Sequence, residues 1–263
     1  MRAGTGDYER SLNIRGKVLK GANFTVTFIV TAALCLCCVY AAYSLWDNNR
    51  IYSAAENVRA ELLRMKPDDS LSFDELLAVN PDVCAWLTID NTNIDYPVVQ
   101  GESNLSYINT DVYGEFALAG SIYLDSRNAR DFSDNYSLLY GHHMKDGSMF
   151  GDLDLFKRKD FFKRNKSGTL LLPGRRLELE IFACFQVGAS DGNIYEPVRW
   201  QEDIDGLLKY VGQNAKHIRK KTVKKLRAAK NPQILAMTTC SSEFTDARTV
   251  VLAAIRAKPS ERQ

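Results

Sequence analysis

The chain has no bias of charge: 34 basic and 32 acidic residues leave a formal net charge of +2. No global field therefore selects nucleic acid as a partner. Histidine is scarce, with only His142, His143 and His217 present. Of the six cysteines, Cys35, Cys37 and Cys38 fall in one apolar run, leaving Cys84, Cys184 and Cys240 elsewhere. Those three are an odd number for a disulfide framework and form no Cys-x-x-Cys pair. A structural zinc site lacks a ligand set, and no metal or cofactor is expected. Internal repeats and low-complexity tracts are absent. What remains, 45% hydrophobic and 25% charged over 263 residues, is the balance of a folded protein with one main domain.

Phe24 to Tyr43 carries no charge at all, and about 20 apolar residues are what a helix needs to cross a bilayer. A buried core helix would show a polar stripe that this run lacks. Arg2, Arg10, Arg15, Lys17 and Lys20 precede it, and Trp46, Asp47, Asn48 and Asn49 follow. The positive-inside rule then predicts a cytoplasmic tail over 1–22, a membrane anchor over 23–45 and everything later outside the cell. A cleavable signal peptide is the competing reading, disfavoured by the length of the run. Ile51, Ala54, Val58, Leu62 and Met65 recur at helical spacing, and a short helix is expected from Phe73 to Val79, so 46–80 reads as a helical stalk or appendage.

From Ala85 the period changes. WLTI, YPVV, SIYLD, YSLLYGH, GTLLLP, LELEIFACFQV, QILAMTTC and RTVVLAAI are short β-rich runs separated by Gly, Asn, Asp and Pro, the pattern of an all-β barrel or sandwich over 81–258, with a tail over 259–263. One long helix is expected to interrupt it from about Trp200 to Lys230. Lys216 to Lys230 holds eight Lys or Arg residues. It reads first as a solvated face docked by Ile218, Val223 and Leu226, with His217 in solvent, and second as a contact for anionic lipid or wall polymer.

Cys240 ends an apolar run where polar residues begin, and Arg248 opens the next such run. Alternate strand residues share a face, which aligns Ala236, Thr238 and Cys240, then Arg248, Val250 and Leu252, then Leu138, Tyr140 and His142. A thiol, an imidazole and a guanidinium at three strand ends could serve as nucleophile, proton donor and oxyanion partner. Spacing alone leaves the alternative of a buried structural Cys and His open.

YGHHMKDGSMF, Tyr140 to Phe150, resembles the histidine segment of the sortases, and AMTTC, Ala236 to Cys240, resembles their nucleophile motif, with Ala236 and Met237 departing from it. IDYPVVQGESNLSYI and GSIYLD are similar to other family segments, and the resemblance spans about Asp82 to Ile255. It implies a mainly β, closed sortase-like barrel with N-terminal helices and a long helix inserted before the nucleophile strand, most like class B. It also implies a cysteine transpeptidase with Cys240, His142 and Arg248 as catalytic residues and Thr238 and Thr239 near the substrate; His143 is expected on the opposite strand face. The implied partners are secreted proteins with a C-terminal sorting signal and an amine from a peptidoglycan cross-bridge or its lipid-linked precursor. A pilin-polymerising enzyme, a non-catalytic wall-binding barrel and a plain cysteine protease are the competing readings.

Overall fold

Each of the eight β-rich runs forms a strand of one closed barrel. The structure, a computed structural model, describes residues 5–68, 70–188, 191–240 and 247–257. The strands are β1 (Val83–Ile89), β2 (Asp95–Val99), β3 (Ile122–Leu124), β4 (Tyr136–His142), β5 (Ser167–Leu172), β6 (Arg175–Gly188), the additional β7 (His217–Ile218), β8 (Ile234–Cys240) and β9 (Ala247–Ala257). Their order is β5-β1-β2-β3-β4-β8-β9-β6, and pairing of β5 with β6 closes the ring. All neighbours run antiparallel except β2–β3 and β4–β8. A Pro173-Gly174 turn joins β5 to β6, with Gly174 at φ 72°.

Alternation buries both faces. Leu87, Val98, Ile122, Leu139, Leu170, Ile181, Met237 and Val251 come from all eight barrel strands and fill the interior, with Phe150, Leu153 and Phe156 at one end. The opposite parity, including Leu138, Tyr140, Phe185, Ala236, Val250 and Leu252, forms an outer layer capped by helices. Both faces are apolar, so these strands read as near-continuous hydrophobic runs.

The helices are α1 (Thr5–Arg64), α2 (Asp74–Val79), α3 (Lys159–Arg164), α4 (Pro197–Glu202), α5 (Ile204–Asn214) and α6 (Lys220–Ala228). Residues up to Arg50 form one compact unit and those from Ile51 a second. Leu19–Arg64 within α1 is long and apolar enough, by length and composition, to cross a membrane. In the second unit Val58, Leu62 and Met65 pack onto the outer layer, as the helical spacing predicts.

The expected long helix before β8 is instead α4, α5, β7 and α6. Asp203 separates the first two: its carboxylate accepts the Gly206 amide at 2.8 Å and caps α5. After Asn214 the chain turns extended, and His217 and Ile218 pair with Cys184 and Ala183 of β6. No Gly or Pro marks that break; the free edge of β6 captures the backbone and overrides helix propensity. His217 is therefore not in a helix. It is half-buried, its Nε2–H donates to the Lys157 carbonyl at 2.9 Å and its ring lies against Phe162. Arg219 also leaves the basic face, donating to the Ile181 and Asn165 carbonyls. The remaining lysines of α6 are exposed while Val223 and Leu226 dock, as expected.

Candidate active site

Parallel pairing of β4 with β8 runs in unbroken register from Tyr136↔Ile234 to His142↔Cys240. His142 and Cys240 are thus opposite one another at the C-terminal ends of two neighbouring strands. On the other side β8 pairs antiparallel with β9, the last ladder pair being Thr238↔Val250. Arg248 precedes Val250 by two residues and lies at the same end of the barrel. His142 and Arg248 belong to the parity of the outer layer, and Cys240 stands two residues beyond Thr238 in the same ladder.

Two backbone devices fix His142. Gly141 has no side chain where a Cβ would meet the Phe150 ring at 2.8 Å, and the Phe150 amide donates to the His142 carbonyl at 3.0 Å. The imidazole is 8% exposed, and its Nε2–H donates to the Ile108 carbonyl at 2.6 Å. Since a carbonyl can only accept, this bond assigns the proton to Nε2 and leaves Nδ1 as the nitrogen open to proton exchange. Gly120 lies directly against the Ile108 carbonyl, and its φ of 57° and missing Cβ let the two backbones approach this closely.

The Arg248 guanidinium stands 5.7 Å from the centroid of the Tyr195 ring. Tyr195 stacks on Tyr140 at 6.3 Å, and Tyr140 on Tyr123 at 5.2 Å. Arg248 Nε is buried and has no hydrogen-bond partner among the described residues, a donor in want of an acceptor. Beneath the stack the fully buried Asp125 accepts the Tyr140 hydroxyl at 3.0 Å and Arg127 Nε and Nη2 at 2.9 Å each. Burial pushes the Asp125 carboxyl up, but the Arg127 side chain and amide outweigh it and hold the group below the usual carboxylate range. Arg127 also donates to the Tyr195 carbonyl at 2.7 Å, fixing the segment that carries the ring.

Thr238 is buried, with its hydroxyl 3.4 Å from that of Tyr195. Thr239 faces the other way, and its hydroxyl oxygen accepts the Thr249 amide at 3.2 Å. Thr249 in turn donates its hydroxyl to Asp154 at 2.6 Å, and Asp154 also accepts from His143 at 3.2 Å and Lys157 at 2.7 Å. Burial raises the Asp154 carboxyl, yet those three donors hold it well below its ordinary value; the same bond to Asp154 raises His143. His143 accordingly faces away from His142. Cys84 and Cys184 are buried, and burial pushes both thiols up to about 12, which makes them inert at neutral pH.

Tyr195 and Asp154 carry no signal in the sequence that links them to the site; Ile108 and Gly120 end and begin two segments of the family resemblance, but nothing in those segments ties them to His142. All four lie between strands, Asp154 on the 3-10 helix Gly151–Lys157, and only the closed barrel brings them to its end.

A family model described as the sortase domain matches residues 87–256. The sortase B of Listeria monocytogenes is 32% identical over 169 residues, 64% of this chain and 67% of that one. Among solved structures, a Streptococcus pyogenes class B sortase involved in pilus biogenesis is similar at 39% identity and a TM-score of 0.62, over 72% of this chain and 100% of that one. The sortase B of Clostridium perfringens aligns at 32% identity and a TM-score of 0.61, over 70% of this chain and 100% of that one.

Proposed function

The chain belongs to the sortase family, in its class B branch, whose members are cysteine transpeptidases, and on that premise we propose that Cys240 is its nucleophile, His142 its proton donor and Arg248 its oxyanion partner. The observation that carries this is the His142↔Cys240 register, with Arg248 at the same strand ends.

The Cys240 thiol gives its proton to His142 Nδ1, and the thiolate adds to the carbonyl carbon of a peptide bond in a C-terminal sorting signal, forming a C–S bond. Arg248 donates to the oxygen as it takes charge, and its Nε, without a hydrogen-bond partner among the described residues, supports that role. The C–N bond then breaks, and His142 gives its Nδ1 proton to the departing amine. An acceptor amine attacks the thioester, a new C–N bond forms, the C–S bond breaks and the amine's proton returns to His142. Thr238 and Tyr195 line the outer face beside these groups and would contact the substrate. Thr239 serves the framework, since its hydroxyl oxygen already takes the Thr249 amide.

The acceptor is an amine of a peptidoglycan cross-bridge or its lipid-linked precursor, and the enzyme hangs outside the membrane on the N-terminal part of α1. That topology rests on the uncharged run and the basic residues before it. A second reading, transfer to a lysine side chain of a pilin, is favoured by the 39% identity to an enzyme involved in pilus biogenesis. A screen of the detergent-solubilised full chain against a fluorogenic sorting-motif library supplies a substrate, and hydroxylamine, cross-bridge amines and lysine peptides then compete as acceptors. Amide or hydroxamate products whose rate rises with amine are expected. Only the free acid, at a rate indifferent to amine, would make the enzyme a protease.

A further inference from the structure

Resting on the assignment of Cys240, His142 and Arg248, we propose that Asp154 is a positioning residue that holds the three strand ends in register from behind. Besides Lys157, its partners are chain neighbours of two of the reacting side chains, and one of these reaches the neighbour of the third. His143 follows His142 and donates to Asp154 at 3.2 Å; Thr249 follows Arg248 and donates its hydroxyl at 2.6 Å; Thr239 precedes Cys240 and accepts the Thr249 amide at 3.2 Å.

The need for such a tie is visible in the ladder. The pairs between β8 and β9 end at Thr238↔Val250, just before Cys240 and Arg248. Beyond that point the side-chain bond from the Thr249 amide to Thr239 takes over from backbone pairing. Asp154 fixes the hydroxyl of that same Thr249, which is 3% exposed. Asp154 itself sits on the 3-10 helix Gly151–Lys157, anchored in the barrel interior through Leu153 and Phe156. Successive strand residues face opposite sides but share one backbone, so a rotation of Thr249 or His143 moves Arg248 or His142. A carboxylate bonded to charged and hydroxyl donors is a stiff link, because charge-assisted bonds are short and strong. Asp154 touches no substrate and carries no proton in the reaction.

The test uses the detergent-solubilised full chain and the fluorogenic peptide chosen by the library screen. Thr249→Val and Asp154→Ala should each lower kcat about tenfold with KM held within about twofold, the pattern of misplaced groups rather than lost binding. Because both cut one link, the double variant should be no slower than the slower single, whereas independent losses would multiply. Thr249→Ser keeps the hydroxyl and should restore kcat to within about twofold. If Asp154→Ala does not fold, the Thr249 pair carries the test alone. Wild-type kcat in Thr249→Val, equal loss in Thr249→Ser, or multiplying losses in the double variant overturns the proposal. Cys240→Ala is run alongside. Activity in that variant sinks the assignment of the nucleophile, whereas a dead Cys240→Ala beside an unaffected Thr249→Val sinks only the role of Asp154.

Discussion

Replacing Gly120 with alanine isolates the support behind His142. At φ 57° any L-residue meets a left-handed backbone cost of about 1–2 kcal/mol. The new Cβ would also lie 2.8 Å from the Tyr107 carbonyl oxygen and nearer still to that of Ile108. The Ile108 carbonyl must then give way, and with it the 2.6 Å bond to His142, a buried bond worth about 1 kcal/mol. The sum is about 2–3 kcal/mol, which for a unit of this size lowers Tm by about 4–12 °C. Gly174→Ala supplies the control, because its φ is 72° but a Cβ there meets nothing within 4 Å. It should lose about 2–8 °C and keep full turnover. Gly120→Ala should lose more, and its kcat should fall about tenfold as the imidazole swings from its place. Thermal scanning and initial rates on the three proteins decide the matter. A Gly120→Ala protein with the melting point of Gly174→Ala and wild-type kcat would refute the link from Gly120 through Ile108 to His142.

Cys240→Ala should abolish turnover while Cys84→Ala and Cys184→Ala retain it, and iodoacetamide at pH 7 should label neither buried thiol in the folded protein, as mass spectrometry of the digested chain would reveal. His142→Ala should lose turnover by two orders of magnitude or about that, the scale of general acid catalysis, whereas His143→Ala should lose only a few fold; the reverse pattern moves the proton donor to His143. Arg248→Lys should fall at least about tenfold in kcat/KM although charge is kept, since a point charge cannot reproduce the guanidinium fork stacked on Tyr195, and wild-type rates would reduce Arg248 to a distant field. The bond between His143 and Asp154 has a pH window. His143 is raised above 6.5, so its contribution is full below that value and lost as pH rises through the folded pKa; Asp154 is depressed below 3.8, so its contribution is present above that value and lost as pH falls. The Tm gap between wild type and His143→Gln should therefore be widest near about pH 5–6 and close by about pH 9, and a constant gap would exclude the ion pair.

Strands were legible because turn residues punctuate them and because β-branched and aromatic residues fill them. YSLLYGH coincides with β4 from Tyr136 to His142, and the face shared by Leu138, Tyr140 and His142 is the face that meets Ala236, Thr238 and Cys240. β7 was hidden for the opposite reason. Two residues give no period, and the Lys-rich chain on both sides suits a helix better than a strand. Within the site, side chains on strand ends could be found from parity, while Tyr195 and Asp154 could not, because a connection has no period to read. Their places are set by contacts 43 and 95 residues away in the chain, Tyr195 to Thr238 and Asp154 to Thr249. The helical reading of α1 rested on the uncharged run from Phe24 to Tyr43 and on the apolar spacing from Ile51 to Met65.

The parallel pairing of β4 with β8 has a consequence for the order of assembly. Antiparallel neighbours can zip from a hairpin turn, but these two strands have β5, β6, β7, four α-helices and the 3-10 helix Gly151–Lys157 between them in the chain. Their ends meet only after that whole stretch has found its place, and contacts of such separation form late because loop closure comes first. A chain emerging from synthesis therefore displays the histidine strand long before the cysteine strand exists. Half-folded forms that lack β8 at its place hold His142 with no Cys240 opposite it, so the proposed catalytic pair comes together only as the barrel closes.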